Sequence, residues 1–297
     1  MQGGSDFWLV NGLKLYMHRF RDASAPPSGL MLLVLHGFLD AGSTWELVAE
    51  PLARAGHDVV VPDLRGFGRS EWVGAGGYYY FPDYLADVAA LVEALSPPRL
   101  GVVGHSMGGA VACLFTGAFP ERVERLALLE GVGPPDLPAL TAVDRAQRWL
   151  RDLRRIDRTP RPLASLDEAA ARLAVNNPAV PREVLLTRAK LLTRLDAGGR
   201  LVWAHDPLHR TISPTMFRLE EFQEYLKRIA CPTLFVSGGP SGMHPLDEEE
   251  RLSRLKDVAR VELPKAGHMM HWTEPSAVAR ELVAFFGGEP APAERAG

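Results

Sequence analysis

The sequence predicts an α/β fold in which a mostly parallel sheet is covered by helices on both faces. First, short apolar runs alternate with helical patterns from residue 30 to about residue 130, as in strands joined by crossover helices. Second, this alternation stops at "GVGPPDLP", and only helical patterns follow as far as Ser213. Third, strand and helix patterns then alternate again up to residue 286. The helical stretch inserted into an α/β core predicts a cap over the sheet.

The N-terminal part of the chain shows a hairpin, then alternating strands and helices. Two alternating runs joined by Asn11-Gly12 predict the hairpin, because this pair favours the tight turn between antiparallel strands. Continuous apolar runs predict three buried strands: "LMLLVLHG", "DVVVPDLRG" and "RLGVVGHS". Helical spacing of apolar residues predicts two helices between them: "STWELVAEPLARAG", which ends at Gly56, and "PDYLADVAALVEAL".

The remaining elements complete the core on both sides of the insert. Before it come the helix "MGGAVACLFTGAF" and the strand "VERLALLEG". After it come the strands "PTLFVSG" and "ARVELP", with the helices "LDEEERLSRLKD" and "EPSAVARELVAFF". The predicted organisation is a first core segment (residues 1–133), a helical cap (134–215), a second core segment (216–287) and a flexible tail (288–297).

Composition and charge limit the possible partners. The 297 residues are 46% hydrophobic, enough for one large core, and their net charge of −3 predicts binding to neither nucleic acid nor an anionic membrane. Arginines cluster between Arg145 and Arg161, where interspersed acids favour a solvated helix face. Without a signal-peptide pattern or a membrane-spanning apolar run, a soluble cytoplasmic protein is expected. Cys113 and Cys231 lie in apolar contexts, which predict buried free thiols rather than a disulfide or metal site.

Ser106 lies in the motif with the clearest chemical meaning, Gly-His-Ser-Met-Gly, between an apolar strand and an apolar helix. A G-x-S-x-G motif in that context holds its serine on a sharp turn above the carboxyl edge of the sheet. Small residues such as Gly104 and Gly108 prevent clashes in the turn, and the first amides of the following helix face the serine. Ser106 is therefore the predicted nucleophile.

Four motifs together carry a family resemblance: "LHGF", "VPDLRGFGRS", "GHSMGG" and "KAGHMMHW". With them the chain resembles the α/β-hydrolase superfamily over nearly its whole length, and in particular serine hydrolases and esterases with a helical cap. The resemblance implies a sheet of about eight strands with the helical insert as the cap. No motif points to a cofactor or to a metal ion.

The resemblance also implies an oxyanion hole and a general base. The backbone amides of Phe38 and Met107 would face the carbonyl oxygen, where negative charge develops. His268 lies in the Ala-Gly-His turn after the last predicted strand, where the family keeps its base. His271 is the rival, although its position better suits the start of the next helix or the pocket entrance. Four further histidines outside the motifs are expected to be ordinary polar residues: His57, His205, His209 and His244.

The acid that should orient the histidine is absent from the position that the resemblance suggests. In "LFVSGGPSGMHPL", Ser241 stands where most relatives have an aspartate, and serine cannot carry the charge. Glu130 ends the preceding core strand and would emerge at the same sheet edge as Ser106. Serum hydrolase-like proteins and one subgroup of haloalkane dehalogenases look similar in placing the acid there. Asp247 is the alternative, although it better fits a helix N-cap. We therefore favour Glu130.

These residues together predict a serine hydrolase that cleaves a small to medium acyl ester through an acyl-enzyme. A small-molecule acyl substrate is the expected partner, and the chain is expected to be a monomer or a homodimer. The serine nucleophile excludes dehalogenase and epoxide hydrolase chemistry, which uses an aspartate in this fold. Carbon–carbon hydrolases, lactonases, thioesterases and acyltransferases share the serine and stay open. A protein with the hydrolase fold that binds a ligand without turning it over is a further alternative that stays open.

Overall fold

The computed structural model describes residues 2–134 and 141–288, which contain ten strands. In chain order they are β1 (Gln2–Val10), β2 (Leu13–Arg21), β3 (Met31–Leu35), β4 (Asp58–Pro62), β5 (Leu100–His105), β6 (Arg125–Leu129), β7 (Thr193–Leu195), β8 (Leu201–Trp203), β9 (Thr233–Ser237) and β10 (Val258–Glu262). Eight of them form one sheet in the order β1-β2-β4-β3-β5-β6-β9-β10. The β1–β2 and β2–β4 pairs are antiparallel, and all other neighbours in this sheet are parallel. The predicted sheet is confirmed.

Helices lie on both faces of this sheet. In chain order they are α1 (Glu46–Arg54), α2 (Phe81–Leu95), α3 (Met107–Ala118), α4 (Ala142–Arg155), α5 (Leu166–Asn176), α6 (Arg182–Leu192), α7 (Leu219–Arg228), α8 (Glu248–Leu252), α9 (Met270–Thr273) and α10 (Pro275–Phe286). Apolar residues of α1 and α10 form one core, and those of α2, α3 and α7 form the other. Among the described residues, no helix has both the length and the apolar content to cross a membrane.

The strand β3 shows why the central strands are apolar throughout. Its residues Leu32 and Val34 enter one core, whereas Leu33 and Leu35 enter the other. Successive side chains of a strand point to opposite faces, so a strand with helices on both sides buries every side chain. The continuous apolar runs that predicted these strands have this physical cause.

The N-terminal hairpin has the predicted turn. Asn11 and Gly12 connect β1 to β2 with backbone φ angles of 47° and 81°. Both angles are positive, as the tight hairpin turn requires, and asparagine and glycine are the residues that accept them most readily.

The insert between β6 and α7 is mostly helical and carries α4, α5 and α6. It also contains the antiparallel pair β7–β8, which the sequence patterns did not predict. Each of these strands has only three residues, too few to show an alternating pattern. The exact domain boundaries stay predictions. The start of the predicted cap at residues 135–140 and the tail from residue 289 lie outside the described residues.

Candidate active site

Ser106 lies on the sharp turn between β5 and α3, where its backbone has φ 52° and ψ −118°. Non-glycine residues seldom adopt a positive φ, so the surrounding structure must hold the serine in this conformation. The backbone at Gly108 and Gly109 packs closely against neighbouring strands and loops, and this packing holds the turn in place. A Cβ added to Gly108 would lie 2.2 Å from the carbonyl oxygen of Leu35, and one added to Gly109 would lie 2.4 Å from the Cα of Gly131.

His268 connects Ser106 to Glu130 through two hydrogen bonds. Its Nε2 is 3.1 Å from Ser106 Oγ, and its Nδ1 is 2.7 Å from Glu130 Oε2. Because the carboxylate can only accept, Nδ1 carries the proton, and in the neutral ring Nε2 then accepts from the serine hydroxyl. The three side chains proposed from the sequence as the nucleophile, base and acid are thus in contact.

Glu130 follows β6 directly, and its side chain is fully buried at the carboxyl edge of the sheet. Besides His268, the backbone amides of Gly238 and Met243 donate to its two carboxylate oxygens at 2.6 and 2.7 Å. Burial alone would raise the pKa of Glu130, but the hydrogen bonds from His268 and from the two amides outweigh it and lower the pKa below its usual value. The carboxylate is therefore ionised at neutral pH.

The loop after β9 (residues 238–243) contains no acidic residue, but its backbone binds the carboxylate of Glu130. Gly238 and Met243 at its two ends supply the amides, and Gly242 leaves room for the Glu130 side chain. A Cβ added to Gly242 would lie 1.9 Å from Glu130 Oε1. The sequence analysis considered this loop only as the place of a missing residue. Its glycines were the signal that another group approaches the backbone there.

Two further side chains near this loop have other partners than the base. Asp247, the alternative acid, directly precedes α8, and its carboxylate accepts a hydrogen bond from Arg251 Nε at 2.9 Å and forms an ion pair with Arg251 Nη2 at 2.8 Å. No hydrogen bond joins Asp247 to His268 in the described residues. His244, expected to be an ordinary polar residue, lies with its Nε2 3.8 Å from Glu130 Oε1 and donates to the Gly239 carbonyl oxygen at 2.9 Å.

His271, the rival base, is fully buried and turned away from the nucleophile. Its Nε2 lies 2.9 Å from Asp40 Oδ2, and its ring stacks on Trp45 with 4.3 Å between the centroids. The other oxygen of Asp40 accepts from Thr44 Oγ1 at 2.8 Å. Burial alone would raise the pKa of Asp40, but the interaction with His271, which includes a hydrogen bond, lowers the pKa below its usual value. Burial lowers the pKa of His271, so a neutral imidazole donates to a carboxylate.

His105 connects this buried pair to the base. Its Nε2 donates to the backbone carbonyl oxygen of His268 at 2.8 Å, and its ring centroid is 4.8 Å from that of His271. Asp40, His105 and His271 offer metal-ligand atoms within 4.8 Å of one another, and all three are buried. In the described structure His105 holds the turn that carries His268 through its hydrogen bond, and the His271–Asp40 pair packs beside the His105 ring.

The predicted oxyanion donors lie on either side of the nucleophile. Met107 is the first residue of α3, directly after Ser106. Phe38 follows Gly37, where an added Cβ would lie 3.3 Å from Ser106 Cβ, so this loop packs against the serine. In residues 2–134 and 141–288, neither amide donates to another backbone group. Both amides are therefore available to an oxygen atom of a ligand.

His209 joins the insert to the loops around the nucleophile. Its ring is stacked between Phe67 and Tyr79, at centroid distances of 4.1 and 3.9 Å, and it touches the ring of Phe38 edge-on at 5.9 Å. Burial lowers the pKa of His209 to about 3, so the ring is neutral. This residue was expected to be an ordinary polar histidine. Only tertiary structure shows that it packs as an aromatic side chain beside the oxyanion loop.

Comparisons with known proteins agree with this geometry. A model of the α/β hydrolase fold family matches residues 31–275. The chain is 26% identical to a serine hydrolase-like protein of Dictyostelium discoideum, over 87% of this chain and 75% of that protein. It is 28% identical to a 3-hydroxybutyrate-oligomer hydrolase of Cupriavidus necator, over 89% of this chain and 91% of that protein. The solved thioesterase domain from the curacin biosynthetic pathway is similar with a TM-score of 0.81 and 27% identity, over 95% of this chain and 99% of that domain.

Proposed function

The chain belongs to the α/β-hydrolase superfamily as a serine hydrolase, and from that premise we propose that it cleaves a small to medium acyl ester with Ser106, His268 and Glu130 as its catalytic triad. The observation that carries this proposal is the unbroken hydrogen-bond path from the serine hydroxyl through the imidazole to the buried carboxylate. A serine hydroxyl is a weak nucleophile unless a base removes its proton, and this path supplies that base.

In the acylation step, Ser106 Oγ attacks the carbonyl carbon of the ester while His268 Nε2 takes its proton. Glu130 holds the ring in the required tautomer and stabilises the imidazolium that forms. The carbonyl oxygen becomes negative and accepts hydrogen bonds from the amides of Phe38 and Met107. The carbon–oxygen bond to the alcohol then breaks, and the alcohol leaves with the proton from His268. The product is an acyl-enzyme on Ser106.

Deacylation repeats these roles with water. His268 removes a proton from water, which attacks the acyl carbon, and the same two amides stabilise the second oxyanion. The bond to Ser106 breaks, and the serine recovers its proton from His268. The whole cycle consumes one water molecule, releases an acid and an alcohol, and leaves the enzyme unchanged.

The named relatives support substrates that carry an acyl group. One is a hydrolase of 3-hydroxybutyrate oligomers. Thioester cleavage is the second candidate, because a thioesterase domain shares both the fold and 27% of the sequence. The proposed chemistry differs only in the leaving group, since a thiolate would replace the alcohol. We propose that the substrate is a small molecule and that the chain acts as a monomer or a homodimer.

A fluorophosphonate probe tests the nucleophile directly, because it forms a covalent bond only with an activated serine. We expect the wild-type protein to be labelled and Ser106→Ala to remain unlabelled. Ser241→Ala is a matched control that removes a different serine near the site and should be labelled like wild type. If the folded wild-type protein is not labelled, the proposal of a hydrolase fails and a ligand-binding role without turnover is favoured.

Substrate class requires a second experiment. Esters and thioesters with the same graded acyl chains should be compared through kcat/KM, with Ser106→Ala as the blank. The ester proposal predicts higher kcat/KM for oxygen esters with short to medium acyl chains. Consistently higher values for the matched thioesters would replace it with the thioesterase candidate.

A further inference from the structure

The insert contains a small cavity whose walls are rich in arginine. It has a volume of about 180 Å³ and lies between the C-terminal end of α4 and the segment that follows β8. Arg155, Arg161 and Arg210 line it, together with Trp203 and His205. Ligand sites for drug-sized molecules usually measure about 300–1,000 Å³, so this cavity suits a smaller group.

The guanidinium groups of Arg155, Arg161 and Arg210 have no carboxylate within salt-bridge distance in residues 2–134 and 141–288. Neighbouring arginines do have one: Arg158 pairs with Asp206 at 2.6 Å, and Arg172 pairs with Glu168 at 2.6 Å. Arginines with and without an ion-pair partner thus occur side by side in the same insert. The cavity is therefore bordered by three solvent-exposed guanidinium groups that have no ion-pair partner in the described residues.

Among the described residues, one carboxylate lines the cavity, that of Asp157, and hydrogen bonds from Thr159 together with the charge of Arg161 lower its pKa. One of its oxygens accepts from the backbone amide of Thr159 at 2.8 Å. The arginines also affect one another: burial is the main cause that lowers the pKa of Arg210, and the positive charges of Arg161 and Arg172 lower it further. An anion in the cavity would relieve this repulsion.

His205 offers an additional donor. In the described residues, neither of its ring nitrogens has a hydrogen-bond partner, and its ring stacks near Trp203 with 5.9 Å between the centroids. Burial, assisted by the charge of Arg210, lowers the pKa of His205 to about 4. The ring is therefore neutral at pH 7 and carries one N–H group that can donate.

We propose that this cavity binds a small anionic group, a carboxylate or a phosphate, through the guanidinium groups of Arg155, Arg161 and Arg210. Planar guanidinium groups bind both kinds of oxyanion through paired hydrogen bonds. The site does not depend on the chemistry of Ser106. Pro207 and Arg210 line the cavity, and the short segment between them carries His209, which touches Phe38 beside the nucleophile. The anion is therefore either a free ion or the charged end of a substrate.

Calorimetric titration of the full chain with sodium phosphate, at constant ionic strength set by sodium chloride, tests the site. We expect saturable binding with one phosphate per chain in both wild type and Ser106→Ala. The double variant Arg161→Gln with Arg210→Gln should raise the Kd for phosphate at least ~10-fold, because the loss of even one charge-assisted hydrogen bond weakens binding by about that factor. Arg151→Gln with Arg154→Gln is the matched control, with the same change of charge on exposed side chains of α4 outside the cavity.

The absence of saturable binding would overturn the proposal. Equal weakening in both double variants would also overturn it, because an adventitious ion responds only to net charge. Phosphate binding by Ser106→Ala tests the anion site independently of hydrolysis. The proposed hydrolase function could therefore fail while the anion site is confirmed.

Kinetics with p-nitrophenyl hemisuccinate and p-nitrophenyl butyrate distinguish the two sources of the anion. If the cavity holds the charged end of a substrate, the cavity variant raises KM for the hemisuccinate alone, and phosphate competes with that ester. If it holds a free ion, phosphate binds while KM for both esters stays unchanged in the variant. Either result supports an anion site and assigns its ligand.

Discussion

Replacing Gly242 by alanine tests whether the loop after β9 positions the catalytic acid. The added Cβ would lie 1.9 Å from Glu130 Oε1, and real Cβ atoms essentially never come closer than 3.0 Å to a neighbour, so the carboxylate or the loop must move by about 1 Å. That movement disturbs the hydrogen bonds from Gly238, Met243 and His268, which are 2.6–2.7 Å long. A misplacement of about 1 Å in catalytic geometry can cost ~100-fold in rate, and overpacking costs about 1–3 kcal/mol of stability.

The assay is the rate of fluorophosphonate labelling of Ser106, together with kcat on p-nitrophenyl butyrate and urea unfolding. Gly74→Ala is the matched control, since an added Cβ there has no neighbour within 4 Å. We expect the Gly242 variant to stay folded and to lose activity ~100-fold, while the control keeps wild-type activity and stability within about 0.5 kcal/mol. Wild-type kcat in folded Gly242→Ala would refute the positioning role of this loop.

Three further predictions concern carboxylates in and around the candidate site. Glu130→Gln should lower kcat at least ~100-fold, whereas Asp247→Asn should change it little; the opposite pattern in ester hydrolysis would exchange their roles. Because folding lowers the pKa of Glu130, its contribution to stability is full above the unfolded pKa of about 4.3 and is lost as pH falls through the lower folded value. Urea unfolding from about pH 5 to pH 3 should therefore show a smaller loss of stability in Glu130→Gln than in wild type. Asp40→Ala leaves the buried His271 donor without an acceptor, whereas Thr44 Oγ1 keeps the Ala41 carbonyl oxygen, so the free energy of unfolding should fall by about 1–3 kcal/mol; an unchanged urea midpoint would contradict this.

Local patterns in the sequence were enough to predict the fold. Buried parallel strands need continuous apolar runs, the hairpin needs Asn11-Gly12, and the turn at Ser106 needs small neighbours. Each of these requirements acts over a few adjacent residues, so it leaves a signal that can be found without the structure. The short pair β7–β8 left no such signal, because three residues in each strand do not show a period.

The contacts of the candidate site depend on residues that are distant in sequence. Glu130 and His268 were proposed from their positions at strand ends, but the amides that bind Glu130 come from residues more than 100 positions later. Backbone donors have no residue type, so the sequence could not identify them. The stacking of His209 and the burial of His271 against Asp40 were missed for a similar reason, since both depend on tertiary packing.

The position of the acid and the composition of the loop after β9 have a common physical cause. β9 lies between β6 and β10 in the sheet, so Glu130 at the end of β6 must extend past the end of β9 to meet His268 after β10. Any side chain on the inner side of that loop would occupy the path of the carboxylate, as the clash at Gly242 indicates. The position of Glu130 therefore requires glycine at residue 242. Glutamate has one methylene more than aspartate, and with this reach its carboxylate contacts the two loop amides and the imidazole at the same time.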